Sequence, residues 1–99
     1  MHVRTHPDAD AELEAATFFY ENRSDGLGDD LLYDFERTIQ CIVAAPTRYR
    51  KICDQIRQIR LRRFPFNIVY EVSENIIYIL AFAHLRRRPF YWQDRTIPQ

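Results

Sequence analysis

Residues 55–84 read QIRQIRLRRFPFNIVYEVSENIIYILAFAH. Apolar residues recur there at every second position, the period of a strand whose successive side chains point to opposite faces. Ile59 and Leu61 fall on one side and Gln58, Arg60 and Arg62 on the other, so the first of these strands carries a basic outer face. Pro65 interrupts, because proline has no N–H to give to a ladder. Phe66, Ile68, Tyr70 and Val72 then alternate with Asn67, Val69, Glu71 and Ser73. Glu74-Asn75 reads as a two-residue hairpin turn. Ile76 to Ala83 is apolar on both faces, the pattern of a strand inside a sheet or beneath a partner.

Before this stretch the period is helical. His2 to His6 predicts a short strand that stops at Pro7. Ala9, Leu13, Ala16 and Tyr20 share one face of a helix from about Pro7 to Asn22, with Asp10, Glu12 and Glu14 near its amino end, where the helix dipole favours acids. Both glycines sit in Ser24-Asp25-Gly26-Leu27-Gly28, the natural place for a sharp turn. Leu31, Leu32, Phe35, Ile39, Ile42 and Val43 repeat at three and four in a second helix that Pro46 ends. Residues 46–55 read as a loop. The expected fold is α+β: a helical hairpin on one face of a mostly antiparallel four-stranded sheet, in the order β-α-α-β-β-β, with a possible last helical turn in PFYWQDR, residues 89–95.

The chain has 99 residues, 46% of them hydrophobic, which suits one domain over 1–99 with a single core. No apolar run is long enough for a membrane span or a signal peptide, so a cytoplasmic location is expected. Cys41 and Cys53 lack metal-ligand spacing and read as reduced thiols, with no metal or cofactor implied. The formal net charge is zero, but it is segregated. Residues 1–45 hold three bases against ten acids, a balance of −7, whereas residues 46–99 hold eleven against four, a balance of +7. All the bases but Lys51 are arginine, the side chain suited to planar, bidentate contact with phosphate or carboxylate. An anionic partner for the second half follows.

The closing segment HLRRRPFYW, residues 84–92, completes a pattern. The element order, the strand pair RLRRFPFNIVYEV and the following ILAFAHLRRRPFYW together resemble the RelE/ParE family of bacterial toxins from type II toxin–antitoxin modules. The closing signature looks like the ParE-like branch, often called plasmid stabilisation proteins. That resemblance implies a growth-inhibitory toxin, neutralised by a cognate antitoxin that wraps it. It also implies one of two mechanisms. ParE-like members poison DNA gyrase and are not themselves enzymes, whereas RelE-like members cut mRNA in the ribosomal A site without a metal.

Metal-free RNA cleavage needs a base, a charge-stabilising cation and an acid. RelE-like ribonucleases place an arginine at the end of the last strand and a tyrosine six residues on. Here the position six before Tyr91 is Leu85, so the resemblance departs from the ribonuclease pattern and the ParE-like reading leads. If the chain is a ribonuclease, His84, Arg86 and Tyr91 are its catalytic candidates, since some ribonucleases of this fold use a histidine near the carboxy terminus. Arg60, Arg62, Arg63 and Arg87 are candidates for contact with nucleic acid or another target. Tyr78, Leu80 and Phe82 are expected on the outer face of the last strand, open to an antitoxin segment. Each has a plainer reading: His84 as a half-buried histidine capping the sheet, the arginine run as a solvated turn, and Pro89, Phe90 and Trp92 as closure of the core. A non-toxic RNA- or protein-binding adaptor is the remaining alternative.

Overall fold

The computed structural model describes residues 1–95. Strand β1 (His2–Thr5) leads into helix α1 (Pro7–Glu21) and helix α2 (Leu27–Ala44). Strands β2 (Lys51–Cys53), β3 (Ile56–Arg60), β4 (Phe66–Ser73) and β5 (Ile76–His84) follow. The expected α+β architecture holds, with the sheet in the order β1-β5-β4-β3-β2. β1 runs parallel to β5 and the other pairs are antiparallel. The fifth strand is β2, in the segment read as a loop. Three residues with one apolar position between Lys51 and Cys53 are too short a run to show a period. Residues 89–95 form turns rather than a helix.

Local chemistry sets the helix ends. His6 caps α1, its Nδ1 accepting from the Asp8 N–H at 3.0 Å, and Pro7 occupies the first turn, where its missing N–H costs nothing. Gly26 starts α2 with φ +87°, a left-handed conformation that an L side chain adopts at a cost. Gly28 lets the two helices close: a Cβ there would stand 3.0 Å from the Thr17 carbonyl oxygen. The Glu21 carboxylate accepts the N–H groups of both glycines and fixes the turn.

Two apolar layers flank the sheet. Leu31, Phe35, Ile39 and Ile42 of α2 and Ala9 and Ala16 of α1 meet Phe66, Ile68, Tyr70, Ile77, Ile79 and Phe82. On the outer face Val69, Tyr78, Leu80, Ala81 and Ala83 lie with Trp92. Ile77, Ile79 and Phe82 share the helix side although strict alternation would separate the last from the others. The cause is a bulge in β5: Val69 pairs with Ala81 and Tyr70 with Ile79, leaving Leu80 as the extra residue. A bulge of this kind reverses the facing of every later side chain.

Phe82 is therefore not an outer-face residue. It stacks on Phe66 at 4.3 Å between ring centroids, beneath the helices, with Phe35 edge-on at 5.6 Å. Tyr78 and Leu80 do face outward, yet each is only 1% exposed. The open apolar patch expected there is closed, and Trp92 packs in the same cluster.

Candidate functional site

The outer face of the sheet holds a groove of about 330 Å³. Gln58 of β3, Asn67 and Val69 of β4 and Ala83 of β5 lie along it, with register pairs Gln58–Val69 and Asn67–Ala83. Ala83 has no side chain beyond Cβ, which leaves the floor low at that point. One wall comes from Arg50 and Lys51 at the far edge of the sheet, the other from residues 84–92. His84 ends β5 and contributes to this groove and to a second hollow of about 360 Å³ on the helix side, lined by Phe19, Tyr20, Phe66 and Phe82.

The three catalytic candidates lie in different settings. His84 is half-buried, its ring edge-on to Phe66, and its Nδ1 accepts the Arg86 N–H at 3.0 Å. That bond belongs to the turn leaving β5, so Arg86 stands in an exposed turn rather than extending the strand beside His84. Tyr91 donates its hydroxyl to Glu12 Oε2 at 2.7 Å. Burial and this bond to a carboxylate push the Tyr91 phenol far above its ordinary pKa.

The four arginines proposed for target contact also separate. Arg60 lies opposite Asn67, on the groove side of β3, but does not line the groove. Arg62 and Arg63 leave the sheet, because β3 ends at Arg60 and their N–H groups turn to the Asp34 carboxylate of α2, at 3.4 and 2.8 Å. Asp34 is nearly buried and also accepts from Arg37 at 3.1 Å. Burial alone would raise the Asp34 carboxyl, but the bonds from Arg63, Arg37 and Arg62 together hold it below its ordinary value. The Arg63 guanidinium stands 3.6 Å from Asp30. Arg87 does line the groove, but its guanidinium carbon stands over the Tyr91 ring, 3.7 Å from the centroid, and its Nη1 is 3.8 Å from Glu12.

Glu12 and Arg95 are the residues that sequence reasoning missed. Arg95 Nη1 and Nη2 donate to the two oxygens of Glu12, each at 2.9 Å, a bidentate pair largely shielded from solvent. Glu12 Oε1 also accepts the Phe82 N–H at 3.0 Å, and Arg95 Nη1 also donates to the Leu80 carbonyl at 2.9 Å. Burial tends to raise the Glu12 carboxyl, but the bonds from Arg95, Tyr91 and Phe82 outweigh it and the net direction is downward. In the sequence Glu12 is one of several acids near a helix start, and nothing marks it as the partner of an arginine 83 positions later. No group of three His, Cys, Asp or Glu among the described residues is placed to hold a metal ion. No described helix is long and apolar enough to cross a membrane.

Comparison with known proteins bears on the whole of this arrangement. The fold is similar to a solved structure titled "Chromosomal ParDE TA system from P. aeruginosa", with a TM-score of 0.68 and 22% sequence identity, over 85% of this chain and 95% of that one. No curated protein matches the sequence. The model of the "ParE toxin of type II toxin-antitoxin system, parDE" matches residues 3–89, from β1 through the arginine turn after β5. With that span matched, the chain belongs to the ParE toxin family of type II toxin–antitoxin systems.

Proposed function

We propose that this chain inhibits growth by poisoning DNA gyrase, without cutting RNA itself, and that a cognate antitoxin neutralises it. The observation that supports this branch over ribonuclease chemistry is the commitment of the Tyr91 hydroxyl. A general acid must carry its proton to the leaving oxygen. Tyr91 instead donates to Glu12, beneath Arg87, in a setting that raises its pKa. His84 and Arg86 are then left without the tyrosine that the ribonuclease pattern requires. The site of action for either target is the cytoplasm.

For the antitoxin, Tyr78 and Leu80 serve as contacts only if their present cover on the outer face moves away. The test pairs two assays on the purified, antitoxin-free protein. Gyrase supercoiling should fall, with trapped gyrase–DNA cleavage products, while translated mRNA followed by primer extension stays intact. Cuts in the A-site codon that vanish with His84→Ala would overturn the proposal and restore the ribonuclease reading.

A further inference from the structure

The outer-face groove has a chemistry that the gyrase reading does not use. Four cations line it, Arg50, Lys51, Arg87 and Arg88, and no Asp or Glu does. Glu12 already engages Arg87. Arg50, Lys51 and Arg88 have no acidic partner within 4.0 Å among the described residues, and all three are exposed. Cations on both walls of a channel raise the local concentration of polyanions.

A second feature points to the kind of polyanion. Phe90 lies at the rim with 42% of its surface exposed, and its backbone takes φ +60°, an uncommon conformation for a non-glycine residue. Its ring leans on Trp92 at 5.5 Å, which steadies an aromatic surface beside the channel. On the floor, Gln58 and Asn67 bring amides that both donate and accept hydrogen bonds. Base edges can pair with such amides and base faces can stack on the exposed ring, whereas the carboxylates of an acidic peptide offer no face to stack. Cations along a channel, an exposed ring at its rim and amides on its floor are the parts of a single-strand binding site.

We propose that this groove binds the phosphodiester backbone of a single-stranded nucleic acid, with Arg50, Lys51 and Arg88 on phosphates and a base stacked on Phe90. The inference goes beyond the gyrase reading and does not depend on it. The test contains neither gyrase nor ribosomes, so failure in one leaves the other standing.

Labelled oligo-dU and oligo-U octamers are titrated with the full chain, read by fluorescence anisotropy and by the emission of Trp92, the only tryptophan. Three phosphate contacts give a salt slope of about −2 for single strands, so affinity should fall roughly 16-fold between 50 and 200 mM salt. Arg88→Ala should reduce that fall to about sevenfold. Phe90→Ala should weaken binding about tenfold and leave the slope unchanged. Arg23→Ala, which removes an exposed cation on the helical turn, should change neither, and circular dichroism verifies that each variant is folded. Equal binding of oligo-dU and oligo-U shows indifference to the sugar, and preference for oligo-U over oligo-dU adds a contact to the 2′-hydroxyl. Absence of binding at 50 mM salt overturns the proposal. So does equal binding of a poly-glutamate peptide together with indifference to Phe90→Ala, which would reduce the groove to an unspecific cation patch or a peptide site.

Discussion

Glu12 shows how much one side chain can organise. Its two oxygens receive Arg95 twice, Tyr91 once and the Phe82 N–H once, so the ionised form is held by four hydrogen bonds in a partly buried site. Hydrogen bonds to charged groups contribute about 1.5–3 kcal/mol each in favourable cases, and losses within one network do not add. Glu12→Gln, which keeps the shape and removes the charge, is expected to cost about 2–3 kcal/mol in urea unfolding at pH 7. The pH dependence has a definite sign. Because the folded carboxyl titrates below its unfolded value near 4.5, its contribution is fully present above that pH and is lost as pH falls through the folded value. Asp34 acts in the same direction. The wild-type acid limb should therefore be steeper than that of Glu12→Gln, as followed by unfolding midpoints from pH 6 downward.

Among the elements, β5 decides what the two faces of the sheet present, through the bulge at Leu80. Phe82 consequently belongs to the helix-side core, between Phe66 and Phe35, and Phe82→Ala should cost about 3–5 kcal/mol in chemical denaturation. Period two in residues 55–84 was enough to read three strands and the hairpin turn. It could not reveal the bulge, since Tyr78 to Ala83 is apolar throughout and either facing satisfies the pattern. For Arg62, alternation was carried past the true end of β3, which is set by a carboxylate on another element that takes the N–H groups of Arg62 and Arg63. His84 and the arginine run at the end of β5 were legible as a group, because one turn holds them. The Glu12–Arg95 pair was not, because its partners meet only after the whole sheet has formed.

At the scale of the molecule, the segregated charge ties the two halves of the chain together. Acids of the helical hairpin capture bases that follow the strands: Asp30 takes Arg63, and Glu12 takes Arg95 and Arg87. One of these ties also closes a gap in the sheet. β1 pairs with β5 only as far as Thr5 and Ile79, after which the chain turns away at Pro7, and the His6 N–H makes the last bond, to the Ile79 carbonyl, at 2.8 Å. Beyond that point along β5, Arg95 takes the Leu80 carbonyl and Glu12 the Phe82 N–H. A donor and an acceptor locked in one ion pair thus stand in for the missing strand, and an edge that could pair with another chain is covered. Removing both groups, as Glu12→Ala with Arg95→Ala, should open that edge and raise self-association, read as an increase in light-scattering mass and strand content with protein concentration. Phe82→Ala supplies the control, since it destabilises the fold while leaving the ion pair's own groups in place. If both variants associate equally, loss of stability alone accounts for the effect. If only the double variant does, the ion pair guards the edge.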